Sequence, residues 1–475
     1  MKKILFITLA AVLAVFTGCE KEYAPPVLEA PASETVETST PVDLTFSYTA
    51  EGGFKSSSVT ATNGSATVAT DGTDGETSGN ITVTFTAGNA AGAGSVELTV
   101  TDETGKNGIA TAVIDIKDGS TVSVSDNIDT DTTWETGKVY ILEGRIAVLD
   151  GVTLTIEPGV IVKGRVGSGS NATALLIARG AKLMAEGTDS SPIIFTSVAD
   201  NILPGEIESP NMDTDLNGLW GGLLILGKAP ISADATAVQI EGIPPSDQNG
   251  LYGGTEENDN SGVIRYISIR HGGANIGEGN EINGLTLGGV GSGTTIENVE
   301  IIANQDDGIE WFGGKVNVTN VIVWNTGDDA IDTDQSWGGT LDNFIIINPG
   351  DECFELDGPE GDRVDKHTLI NGSVWAGDAQ GLVDLDDNSN VDMDGVYFFG
   401  LATDQDFDQI PTLYTCAFTN FQATLPDATA LTDFFKDGSD AFTTAVAAGA
   451  NTVSADASAF QGWSWAAVSG ATNDF

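Results

Sequence analysis

Positive charge is scarce: 19 Lys and Arg stand against 69 Asp and Glu, a formal charge of −50 over 475 residues. Such a surface repels a phosphate backbone, which argues against nucleic acid as a partner and makes cations the natural ones. Histidine is rarer still, with only His271 and His367, so a zinc site built on imidazoles is not expected. Three cysteines, Cys19, Cys353 and Cys416, do not make a disulfide framework. The last two read as buried apolar residues. Aromatics make up only 7% of the chain while glycine reaches 59 residues, a balance that favours a turn-rich β protein over a helical one. The length suits two or three domains.

What is present begins with an address. Lys2 and Lys3 precede an apolar run from Ile4 to Phe16, too short to span a bilayer, which reads as a secretion signal. Phe16-Thr17-Gly18-Cys19 resembles the lipobox of bacterial lipoproteins, and the "EKEY" that follows resembles the surface-export signal of Bacteroidota lipoproteins. That resemblance implies lipidation of Cys19 and an outer-membrane anchor facing the cell exterior. Residues 1–19 are thus expected to be signal peptide and lipobox, and the Pro-, Ser-, Thr- and Glu-rich residues 20–41 a flexible tether. Alternating strands over residues 42–118 resemble an Ig-like or PKD-like β-sandwich, a spacer module in such proteins. Residues 119–136 read as a polar linker, and residues 431–475, where the strand pattern fades, as a partly helical C-terminal cap. Phe460, Trp463 and Trp465 are expected to seal the core there.

Between them, residues 137–430 carry short apolar strands punctuated by Gly, Asn and Asp. The interval from Asp307 to Asp329 is 22 residues, from Asp329 to Glu352 it is 23, and from Glu352 to Gln380 it is 28. A repeat of that length indicates a stacked β-solenoid. "GVTLTIEPGVIVKG", "NGLWGGLLILG" and "DDGIEW…GDDAIDT" resemble the right-handed parallel β-helix, pectin-lyase-like domains of Bacteroidota lipoproteins. "NQDDG" and "NTGDDAI" also resemble the Asn-x-Asp and Gly-Asp-Asp motifs of polygalacturonases, although their Gly-His-Gly and Arg-x-Lys motifs are absent. The expected fold is therefore all-β, a right-handed parallel β-helix after a small sandwich.

Stacking the coils brings the acids together. With Ile309, Ile331, Phe354 and Val383 pointing inward, Glu310, Asp332, Glu355 and Asp384 point outward, and Asp307, Asp329 and Glu352 line the preceding turn. Neighbouring strands lie about 4.8 Å apart, where like charges repel by about 1 kcal/mol in water and several times that when partly dehydrated. Three things can offset the repulsion: bound Ca²⁺, which takes six to eight oxygens; raised carboxylate pKa values; or splaying into salt water. The metal-ligand candidates are these seven carboxylates. Trp311 and Trp337 are candidate sugar-stacking residues, whereas Trp324 and Trp375 end apolar runs and belong in or beside the core. Arg270 reads as an exposed charge paired with the next coil's carboxylate.

Three functions are compatible with this pattern. One is a surface lipoprotein whose β-helix binds Ca²⁺ and an extracellular glycan or surface protein without turnover. Another is a Ca²⁺-dependent polysaccharide lyase, with Arg363 or Lys366 as base, or a pectinase-type hydrolase using Asp307, Asp329 and Asp332. The third is a passive strut or adhesin.

Overall fold

The computed structural model describes residues 21–475 apart from 89, 118 and 277–281; the expected signal peptide and Cys19 lie outside the described residues. Two compact units meet in sequence between Gly119 and Ser120.

In the first unit, two four-stranded sheets enclose one core. Pro41–Thr49, Ser78–Ala87 and Gly92–Asp102 alternate apolar and polar residues, so Leu44, Phe46, Ile81, Phe85, Val96 and Leu98 meet in the interior while their neighbours face water. The expected tether is shorter than residues 20–41. Val27–Glu29 pairs with Pro41–Thr49 and Glu34–Glu37 with Asn107–Lys117. These are edge strands with few buried side chains, which removes the alternation that would have disclosed them.

The second unit is a parallel β-helix. Among the described residues its wall consists of a sheet of 16 strands and a sheet of eight, the latter running from Arg145–Val148 to Asp384–Leu385 with every pairing parallel. Register repeats coil by coil: Ile309 pairs with Ile331 and Ile331 with Phe354. These inward residues form one continuous hydrophobic column with Val321, Val323, Phe344 and Ile346 of the larger sheet. The coil begins earlier than residue 137. Thr121–Val124 and Thr132–Trp134, inside the expected linker, pair with Val139–Leu142 and Thr153–Ile156, and Trp134 stacks on Tyr140 at 4.7 Å.

The C-terminal segment divides its work. Phe434, Phe435 and Phe442 join Phe407, Phe418 and Phe421 to close the end of the core. Phe460, Trp463 and Trp465, expected to seal that end, instead lie along the flank. Ile322, Ile345 and Ile347 point outward from the larger sheet, and the tail covers them. Its short helix, Trp465–Val468, is capped by Ser464, and Glu300 Oε1 accepts the Ala466 N–H at 2.9 Å.

Turns in the larger sheet are fixed by an asparagine column. Asn298, Asn320 and Asn343 hold φ of 57°, 59° and 62°, a left-handed conformation that Asn tolerates better than most residues. Asn320 Nδ2 donates to Asn298 Oδ1 at 2.8 Å, and Asn343 Nδ2 to Asn320 Oδ1 at 2.7 Å. Asn320→Ala is expected to cost about 2–3 kcal/mol from two lost hydrogen bonds and backbone strain, and Asn320→Gly less because the strain disappears. Calorimetric melting of the two variants checks the ranking.

Candidate functional site

The outer face of the eight-stranded sheet carries the acids in register. Glu310 pairs with Asp332, Asp332 with Glu355 and Glu355 with Asp384. Asp307 and Asp329 lie one above the other at the preceding turn. Asp307 Oδ1 accepts the Asp329 N–H at 3.0 Å, and Asp329 Oδ1 accepts the Glu352 N–H at 2.6 Å. Each carboxylate is thus partly satisfied by the next coil's backbone, which also pins the turns in register.

Splaying into solvent is not the arrangement found, because Asp307, Glu310, Asp329 and Asp332 are all less than 10% exposed. One carboxylate oxygen from each of Asp307, Glu310 and Asp332 lies within 4.8 Å of the others, and Asp306, Asp307 and Asp328 form a second such group. At that separation a pair of like charges costs about 3 kcal/mol at a protein-like effective dielectric. Burial, followed by the neighbouring acids, drives the Asp307, Glu310 and Asp332 carboxyls far above the usual carboxylate range. Burial raises Asp329 as well, with Glu355 adding to it. At the margin of the cluster, Asp334, Glu352 and Asp357 are pushed up to about 7, again chiefly by burial.

This cluster fits a hard cation. Its donors are all oxygens, as Ca²⁺ requires. Asn283 adds a further one: its Nδ2 donates to Glu310 while its Oδ1 is buried with no partner. Asn283 lies outside the repeating acidic pattern, so periodicity does not single it out.

Beside the acids opens a cleft of about 750 Å³. Its lining includes Asp334, Glu360, Glu241, Asp234, Tyr252 and Phe312. A hydrogen-bond relay crosses it. Tyr252 Oη donates to Gln335 Oε1 at 2.8 Å, and Gln335 Nε2 donates to Glu360 Oε2 at 3.0 Å. Tyr252 and Glu241 come from a long connection between coils that periodicity alone does not dock anywhere.

Several expected residues lie elsewhere. Trp311 and Trp337 are fully buried and stacked on each other at 4.5 Å, so neither offers a face to a sugar. The reason is the same period of two: Trp311 stands two residues after the inward Ile309. Trp324 is half-buried against Trp465, while Trp375 is exposed. Arg363 is held by Glu257 at 3.1 Å and Asp365 at 2.5 Å, and Lys366 by Asp392 at 2.6 Å; neither lines the cleft. His367 is buried beside Trp337, and burial pushes its pKa down to about 3. Arg270 does pair with the next coil, at 3.6 Å from Glu300, but it is fully buried beneath Trp465 rather than exposed.

The acids set a direction for pH dependence. Unfolded carboxylates titrate near pH 4, and Asp334, Glu352 and Asp357 near 7 in the folded chain. Between those values the folded chain holds more protons, so its stability is greatest at the acid end and is lost as pH rises through the window. In chelator, the melting temperature is expected to fall from about pH 4 to about pH 8. A melting temperature that climbs across that range would contradict the burial of these acids.

No curated protein matches the sequence. Among solved structures, the chain is similar to a Yersinia enterocolitica family 28 exopolygalacturonase at 12% identity and TM-score 0.19, covering 89% of this chain and 99% of that one. It is similar as well to the catalytic unit of a thermostable GH87 α-1,3-glucanase from Streptomyces thermodiastaticus at 12% identity and TM-score 0.28, covering 85% of this chain and 89% of that one. Residues 126–374, more than half of the chain, match the pectate-lyase-like β-helix domain, and together with the parallel coils described above this makes the chain a member of that family.

Proposed function

We propose that the chain is a lipid-anchored, outward-facing surface protein that holds Ca²⁺ in its carboxylate cluster and hydrolyses a neutral polysaccharide in the adjoining cleft. The observation that carries this reading is the juxtaposition of a buried, all-oxygen acidic cluster with an open cleft lined by carboxylates. Membership of the pectate-lyase-like family supports a carbohydrate-active role. The lipobox ending at Cys19 supports the anchor, and the two-sheet unit serves as an Ig-like spacer between lipid and β-helix.

Charge selects the substrate. The lining has Asp234, Glu241, Asp334 and Glu360 but no Lys or Arg, so a polyuronate meets repulsion that a neutral glycan does not. Chemistry selects the reaction. Elimination needs a free base near the sugar's acidic C–H, and the side chains considered for it, Arg363 and Lys366, are occupied by ion pairs outside the lining. Hydrolysis needs two carboxyl groups about the scissile bond, one protonating the leaving oxygen and one acting as base or nucleophile. Asp334 and Glu360 both line the cleft and both bond Gln335, which fixes their orientation.

Asp307, Glu310, Asp332 and the Asn283 amide oxygen would hold the cation, which when bound lets the buried carboxylates ionise. These side chains lie on consecutive coils, so a shared ion also ties the coils together. Saturating Ca²⁺ is expected to raise the melting temperature, with about 2.7 kcal/mol gained at a hundredfold excess over Kd. Asp307→Asn should abolish the shift; no response in the wild-type chain would remove the ion from the account.

On a panel of neutral glucans, mannan and xylan, the chain is expected to release new reducing ends. On polygalacturonate it should produce no absorbance at about 235 nm, the mark of β-elimination. Glu360→Gln and Asp334→Asn should each slow hydrolysis at least about 100-fold, while Lys366→Ala leaves it unchanged. In cells, Cys19→Ser should shift the protein from the membrane to the soluble fraction; retention in the membrane would refute the anchor.

A further inference from the structure

The outward rows of the eight-stranded sheet change their occupants along the solenoid. One row runs Ala147, Leu176, Leu224 and Thr286, then Glu310, Asp332, Glu355 and Asp384, in unbroken register. Its apolar members are buried beneath Ile231, Ile240, Ile243 and Tyr252, all from the connection between Leu226 and Gly262. The neighbouring row runs Leu226, Gly288, Phe312 and Asp334. Gly288 makes room for the Tyr252 ring, since a Cβ there would come within 2.8 Å of it. Tyr252 lies 5.9 Å from Phe312, so the ring fills the row immediately before the cleft begins.

The side of the cleft is fastened too. Ser232 Oγ donates to the Arg363 carbonyl at 2.7 Å and accepts the Gly361 N–H at 3.0 Å, joining the connection to the loop that carries Glu360. Toward later coils the cover thins: Glu310 and Asp332 are buried, Glu355 and Asp384 half-buried, and Asp386 exposed.

We infer that the cleft is blind at its Tyr252 end and receives the terminus of a linear glycan, whose remaining sugars run toward Asp384 and Asp386. The wall is the two-stranded hairpin of Val238–Gln239 and Leu251–Tyr252. The inference rests on the glycan reading proposed above and adds to it where along the polymer the protein binds. A cleft of about 750 Å³ is large enough to take several sugar residues.

Stoichiometry decides the matter with the wall left intact. The Glu360→Gln chain, which keeps the wall intact and is expected not to consume the ligand, is titrated with linear neutral glucans, mannan and xylan, each fractionated into short, medium and long pools. Protein bound per polymer molecule is read by sedimentation. A blind cleft gives one protein per chain in every pool; a passage gives a number that rises in proportion to length. The second result overturns the inference and leaves the glycan reading standing, whereas no binding in any pool overturns both. A variant in which residues 240–250 are replaced by a short Gly-containing turn should convert the first pattern into the second. If that variant binds and still gives one protein per chain at all lengths, the hairpin is not the wall.

Discussion

A parallel solenoid places the same position of successive coils about 4.8 Å apart, and most of what distinguishes this protein follows from which side chains are stacked at that spacing. Asparagine stacks favourably because an amide is donor and acceptor at once. Asn298, Asn320 and Asn343 therefore satisfy one another along the larger sheet. Carboxylates have only acceptors. Asp307 and Asp329 find backbone N–H groups on the next coil, but Glu310 and Asp332 need protons or cations to persist in their buried setting. Downstream, Lys436 contacts Asp406, an internal counter-charge where the coils end. One geometry thus yields a self-sufficient column on one side and an ion-demanding one on the other.

The β-helix was legible in the sequence because its signal is a repeat, and a repeat survives irregular loops. The intervals of 22 and 23 residues were enough to align Ile309 with Ile331 and Phe354, and so to place the acids. Elements that carry no alternation stayed hidden. Val27–Glu29 and Glu34–Glu37 are edge strands with mostly exposed residues, so their composition resembles a tether, and Thr121–Val124 resembles a linker for the same reason. The asparagines were visible in "IENV", "VTNV" and "LDNF" at matching positions, and their meaning lies in a left-handed turn that composition does not announce.

At the site, legibility followed the same line. Acids on the repeat were found; residues donated by long connections were not. Tyr252, Glu241 and Glu360 reach the cleft from segments whose docking depends on tertiary packing, which a period cannot supply. Trp311 was misjudged from its chemistry rather than its place, since the alternation that put Glu310 outside puts Trp311 inside, against Trp337. Arg270 shows the complementary case. Its pairing with Glu300 follows from adjacent coils, but its burial depends on Trp465, nearly two hundred residues later, folding back over it.

The covering segments explain why the cleft lies where it does. Early coils present Ala147, Leu176 and Leu224 outward, and later ones present Ile322 and Ile345 from the other sheet. Exposed apolar rows of that length would be costly in water. The connection after Leu226 hides the first set and the C-terminal tail hides the second. In the neighbouring row the cover is needed only as far as the row stays apolar; where Phe312 gives way to Asp334, covering would add desolvation of charge to the cost. The cover therefore stops, its last aromatic ring resting on Gly288 and facing Phe312, and the space beyond it is the cleft. The change from apolar residues to carboxylates along two adjacent rows fixes the acidic cluster on one and the wall of the cleft on the other.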